Sequence, residues 1–277
     1  MTFCLVALAS GTVAAAQDVE QSLKQQYEGK ILVLRHPIQG DSLEYASDGK
    51  VLKGGDEGPW TVYGRIKIDE LQLQADKLLL QGSRVDYKLD GRVRQLVPIP
   101  NKKKHVSVQV SLNRTPQNIT DTDAVLDHIF AFTRKAVVES APDFWRSYLE
   151  LNVPTPKGET APEPDADARL PVLTDKAKAE RQKFWKNTTP PKPVHTPDPF
   201  LPHPVSGGKY FAGVVLLTVF VDETGKVGQI RILRPLGEGL DEEAVNAVKK
   251  WRFKPAQREG RAVGVEMNIE CAFNLNQ

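Results

Sequence analysis

From Val263 to Phe273 the chain alternates with a strict period of two. Val263, Val265, Met267, Ile269, Cys271 and Phe273 are interleaved with Gly264, Glu266, Asn268, Glu270 and Ala272, and Asn274 follows. A helix would scatter these apolar residues around its circumference. A strand gathers them on one face, so the pattern fixes an extended segment with one side packed and one side wet. Upstream, Gly213 to Val221 forms an apolar run, Asp222-Glu223-Thr224-Gly225 reads as a turn, and Val227 to Leu233 reads as a second strand. Both parities of the first run are apolar (Val214, Leu216 and Phe220; Val215, Leu217, Val219 and Val221), which predicts a central strand covered on both faces.

Between these strands and the last one lies a helical stretch, Leu240 to Trp251. Leu240, Ala244, Ala247, Val248 and Trp251 share a stripe, and Glu242, Glu243, Asn246, Lys249 and Lys250 fill the opposite face. Acids at its start and bases at its end suit the helix dipole, and Pro255 forbids continuation. The fold class expected is α+β. Its carboxy-terminal part is a β-β-α-β module with a three-stranded antiparallel sheet and one helix, and the last strand lies at the sheet edge.

The segments Gly213-Val-Val-Leu-Leu-Thr-Val-Phe-Val-Asp-Glu-Thr-Gly225, Leu240-Asp-Glu-Glu-Ala-Val-Asn-Ala-Val248 and Trp251-Arg-Phe-Lys-Pro-Ala256 resemble the C-terminal domain of TonB-family energy transducers. The resemblance covers about residues 205–277, roughly a quarter of the chain. It implies a periplasmic docking module whose edge strand pairs with a short segment of an outer-membrane receptor, with no catalysis. The residues it assigns to that strand are Val263, Gly264, Val265, Glu266, Met267, Asn268, Ile269, Glu270, Cys271, Ala272 and Phe273. An exposed edge offers unpaired N–H and C=O groups that an incoming extended peptide completes. The outward Glu266 and Glu270 are open to two readings, as specificity contacts or as charges that blunt edge-to-edge aggregation. Cys271, on the inward face, reads as a small buried hydrophobe.

At the other end, Phe3 to Ala16 is a fourteen-residue apolar run closing on Ala14-Ala15-Ala16. It matches a secretory h-region with an A-x-A cleavage site, so residues 1–16 are expected to be a signal peptide and the protein periplasmic. The run falls short of the roughly 20 residues that span a bilayer as a helix, and no membrane anchor is visible. Such transducers anchor through an amino-terminal membrane helix and carry a Tyr-Pro segment before the first strand. Here that place holds Phe200-Leu-Pro-His-Pro-Val-Ser-Gly-Gly208. The resemblance therefore carries strand pairing further than force transmission.

Twelve of the twenty prolines fall between Pro154 and Pro204, which marks residues 153–204 as a proline-rich linker. Within it, Thr174 to Trp185 is suited to a short helix. Residues 17–152 form a β-rich domain of no recognised family. Its strands are expected at 31–34, 43–45, 62–68, 71–73, 77–81, 85–89 and 106–112, with a turn or bulge at Asp69-Glu70. Helical spacing follows over 120–135, with Val125, Ile129 and Phe132 on one face, and a second short helix holds Phe144, Trp145 and Tyr148.

Enzyme chemistry finds no framework. The five histidines (His36, His105, His128, His195 and His203) are scattered, with neither a His-Glu-x-x-His helix nor a Cys-x-x-Cys pair, so neither a metal site nor a catalytic residue is assigned. No nucleophile elbow or phosphate loop is present, and no cofactor is expected. Asn101-Lys-Lys-Lys-His105 reads as a solvated loop, and a net charge of +2 from 37 bases and 35 acids gives no field for nucleic acid. Two functions remain. One is a TonB-like component of outer-membrane transport that docks on receptors. The other is a soluble envelope scaffold whose module binds another envelope protein or a cell-wall component, uncoupled from the proton gradient.

Overall fold

The computed structural model describes residues 7–90, 95–152, 175–201 and 210–276. Its contacts divide into two units, one of Met1–Lys88 with Val97–Ser140 and one of Leu89–Leu96 with Ala141–Gln277. The first begins with helix α1 (Ala7–Tyr27), which no helical spacing announced. Val19, Leu23 and Tyr27 recur every four residues along it and are buried as one stripe. Then come β1 (Ile31–Val33), β2 (Ser42–Tyr45), β3 (Val51–Lys53), the one-turn helix α2 (Trp60–Tyr63), β4 (Arg65–Gln74), β5 (Lys77–Asp90) and β6 (Gln95–Ser111). They form a six-stranded sheet in the order β1-β4-β5-β6-β2-β3, with β2 parallel to β6.

The β-rich character expected of this region holds, and its boundaries shift for physical reasons. The strand expected from Val62 starts at Arg65, because Trp60 and Val62 are buried on the turn of α2 instead. It then runs on to Gln74 through a register shift between Ile68 and Glu70, the irregularity anticipated at Asp69-Glu70. The two segments at 77–81 and 85–89 are one strand. Arg84, at the join, is 1% exposed and donates to the carbonyls of Tyr63, Ile38 and Gly40. Its three hydrogen bonds, all to backbone carbonyls, tie the end of α2 to the loop over residues 38–40. Asn101 to His105, expected as a loop, lies in β6.

The single helix expected over 120–135 is two, α3 (Ile119–Ile129) and α4 (Arg134–Ser140). Asn118 caps α3 by accepting the Asp121 N–H. Phe130 ends it, because its ring is wholly buried and its backbone turns extended to bridge Leu34. The buried stripe of α3 is Thr122, Leu126 and Ile129, and Val125 and Phe132 are only partly covered.

The second unit holds α5 (Asp143–Asn152), α6 (Asp175–Lys186), β7 (Thr188–Thr189), β8 (Lys192–His195), β9 (Tyr210–Val221), β10 (Val227–Arg234) and α7 (Leu240–Val248), followed by β11 (Arg252–Lys254), β12 (Ala256–Arg258), β13 (Arg261–Val263) and β14 (Val265–Asn276). The order β10-β9-β14, antiparallel throughout, places β9 in the centre. The short helix expected near Thr174 is α6. Downstream of it the proline-rich stretch is not merely a spacer: β8 pairs with β11, and β7 pairs with β12. The Trp251 indole also donates to the Pro197 carbonyl at 2.9 Å. Residues 153–174 and 202–209, the rest of the expected linker, lie outside the described residues, as does the start of the expected signal peptide.

Helix α5 was expected with the amino-terminal domain and groups with the carboxy-terminal unit. Trp145 is the reason. Its ring is 0% exposed, α5 packs on β10, and the indole N–H donates to Glu242 at 3.0 Å. Helix α7 is three residues shorter than its apolar stripe suggested, ending at Val248. Among the described residues no helix is long and apolar enough to cross a membrane.

Candidate partner-binding edge

The connection between β9 and β10 sets the geometry of the sheet. Asp222 accepts from the Thr224 hydroxyl at 2.6 Å, from the Thr224 N–H at 2.9 Å and from the Lys226 N–H at 2.9 Å. These bonds, the hydroxyl foremost, hold its carboxyl below the usual carboxylate range. Gly225 closes the turn at φ +81°, and the Phe253 N–H donates to its carbonyl at 2.9 Å. A Cβ at this position would stand 1.7 Å from the Phe253 oxygen. The hairpin is thus tied to β11 by a contact that only glycine permits.

Strand β14 pairs with β9 along its whole length, from Val265 opposite Val221 to Asn276 opposite Tyr210. Its other side meets no strand among the described residues. Val265, Ile269, Cys271 and Phe273 are buried, Met267 is half-buried, and Glu266, Asn268, Glu270, Ala272 and Asn274 are exposed. The alternation read from the sequence is therefore the alternation of the fold. Full burial of one such apolar side chain contributes about 1.5–3 kcal/mol, which pins the register against a one-residue slip.

Two of the eleven expected rim residues lie elsewhere. Val263 belongs to β13, opposite Ala256, and Gly264 is the joint before β14. Gly264 is small for a local reason: a Cβ there would come within 2.5 Å of the Phe220 ring. Phe220 also corrects the expectation that β9 is covered on both faces. Val215, Leu217, Val219 and Val221 are buried, but on the opposite parity Phe220 is 40% exposed, and Val214 and Leu216 are half-buried.

The outer face is polar where β14 crosses it. Arg231 on β10 forms an ion pair with Glu266, and the Thr218 hydroxyl donates to Asn268 at 3.0 Å. Glu270 sits opposite Leu216 and, among the described residues, makes no ion pair. On the inner face burial pushes the Cys271 thiol up to about 11, with the Asp198 carboxylate adding to it. This is a packed, unreactive sulfur.

One carboxylate was misplaced by the helical pattern: Glu242, expected on the wet face, is 8% exposed beneath Trp145. Asp241, read as an acid at the helix start, is 0% exposed. Asp241 accepts the N–H groups of Leu236 at 2.8 Å and Gly237 at 2.7 Å, yet burial and then the nearby Glu242 raise its pKa well above the carboxylate range. The same sequence that suggested a dipole-matched helix start conceals a loop clamp. Arg231 could have been read from its period-two place on β10; Trp145 could not, since nothing local ties residue 145 to residue 242.

An antiparallel three-stranded sheet whose last strand has no further strand on its outer side among the described residues defines a small α+β module. Residues 211–275 match the family described as Gram-negative bacterial TonB protein C-terminal. The chain is also similar to the protein tonB2 of Pseudomonas aeruginosa, 36% identical over 84 residues, which are 30% of this chain and 31% of that protein. The chain is therefore similar to the TonB C-terminal family over about a quarter of its length. It spans about a third of the length of that curated relative. The family is one of energy transducers and binding components rather than enzymes.

Proposed function

We propose that the carboxy-terminal unit is the docking module of an envelope protein of outer-membrane transport, working in the periplasm. It captures an extended segment of an outer-membrane receptor as a fourth strand beside β14. One observation carries this reading: β14 presents twelve residues of backbone, Val265–Asn276, whose outer side no described strand occupies. Main-chain hydrogen bonds would supply affinity and side chains on alternate faces would supply selection. The match to the TonB C-terminal family supports the receptor as partner. The roles of Glu266, Met267, Asn268, Ile269, Glu270, Cys271, Ala272 and Phe273 follow: odd-numbered residues anchor the strand and even-numbered ones face the newcomer's outer side chains.

The test is an amide NMR titration of the full chain with synthetic peptides that copy the amino-terminal segments of outer-membrane receptors from the same genome. Shifts concentrated on Val265 to Asn276 are expected. Unchanged shifts along that strand would remove the docking reading and leave the envelope-scaffold function in its place.

A further inference from the structure

The docking reading leaves open what kind of segment the rim accepts, and the side chains on β14 answer more narrowly than its backbone does. On the inner face Met267 remains half-buried between the buried Val265 and Ile269, so the packed layer stops short at the rim. An added strand would extend that layer with whichever residues it points inward, and these must be apolar.

The outer face carries two carboxylates, and they are not equivalent. Glu266 is already neutralised by Arg231, reached from β10 across the sheet. Glu270 has Leu216 opposite it on β9 and no ion pair among the described residues. Arg234, in the same cross-sheet row opposite Leu216, forms no ion pair with it. One uncompensated carboxylate therefore stands on the exposed outer face of β14, near the middle of the strand, and on the side away from β9 no described strand stands, which is the place a docked strand would take. Cross-strand neighbours lie about 4.5–5.5 Å apart at Cβ, close enough for a Lys or Arg on the newcomer to pair with it and for an acid to be repelled.

We propose that the β14 rim selects an extended peptide with apolar residues on its inward face and a lysine or arginine on its outward face opposite Glu270. This rests on the strand-docking reading. The selection is local: the chain's net charge of +2 supplies no attraction for a basic partner, so the preference belongs to one carboxylate and not to the protein's overall field.

The experiment uses the full chain and three fluorescent peptides of β14's length that alternate valine and threonine. The central outward threonine is kept, replaced by lysine, or replaced by glutamate. Fluorescence anisotropy is expected to rank lysine above threonine above glutamate, with about tenfold between the extremes at low salt. In Glu270→Lys the ranking inverts. Equal binding of all three peptides by both proteins would overturn the charge selection while leaving strand docking intact. Failure of all three to bind either protein, with the fold unchanged by circular dichroism, would overturn both.

Discussion

Strands β6 and β14 each leave a long stretch of backbone with no strand beside it among the described residues, and their compositions are opposites. Strand β6 runs from Gln95 to Ser111, but β2 pairs only with Ser107 to Val110 of it, so among the described residues no strand stands on that side of its earlier part. That stretch carries Pro98, Pro100, Lys102, Lys103 and Lys104. Proline lacks the N–H that a ladder needs, and lysines resist stacking against another sheet, so the stretch is protected against pairing. Strand β14 has neither proline nor lysine anywhere in Val265–Asn276. A basic, proline-bearing edge and a proline-free edge with a single uncompensated glutamate present the same backbone groups to different ends. The lesson is that an edge is read by what guards it, and β14 is unguarded.

The contrast depends first on β14 belonging to a rigid sheet. Trp145→Ala removes a wholly buried indole and its hydrogen bond to Glu242, and it should cost about 3–5 kcal/mol of the carboxy-terminal unit's stability in chemical denaturation followed by circular dichroism. A loss under 1 kcal/mol would mean that α5 is not integral to that unit. Gly225→Ala should cost about 2 kcal/mol or more by the same measurement, from the positive φ and the clash with the Phe253 carbonyl. Neither change should alter the amino-terminal unit's own transition.

The β6 side of the contrast is tested by taking the guards away. Replacing Pro98 and Pro100 with valine and Lys102 and Lys104 with threonine should produce concentration-dependent self-association in sedimentation velocity, absent from the parent chain. A variant that stays monomeric would show that composition is not what protects this edge. The smallest effect concerns Cys271. Its pKa is raised in the folded state, so the unfolded chain ionises first and stability declines as pH rises from about 9 to about 11. Cys271→Ala has no thiol to titrate, so that part of the decline should be absent from the variant and appear as the pH-dependent difference between the two denaturation profiles.

How much of this was legible beforehand depended on the range of the interactions involved. The period-two alternation of β14, the Asp222 turn and the bulge near Asp69 are set by neighbours within a few residues, and all three stand in the structure. Long-range partners escaped. Glu242 looked solvent-facing by helical spacing because its partner lies 97 residues away on α5. Thr188–Thr189 and Lys192–His195 looked like spacer because their prolines favour extended chain, and extended chain is also what pairing with β12 and β11 requires. Helix α1 was hidden by an apolar run that reads equally well as a secretory leader. The last strand, expected over Val263 to Phe273, runs from Val265 to Asn276 in β14, with Val263 in β13 and Gly264 between the two.

Hydrogen–deuterium exchange across Val265 to Asn276, measured on the full chain with and without a bound receptor-segment peptide, reaches the central claim most directly. Half of these amides are already held by β9, so the account predicts that binding slows exchange at alternate positions only, those whose N–H points away from β9. Alternate positions that exchange at the same rate with peptide bound, or protection that appears on another strand instead, would contradict it.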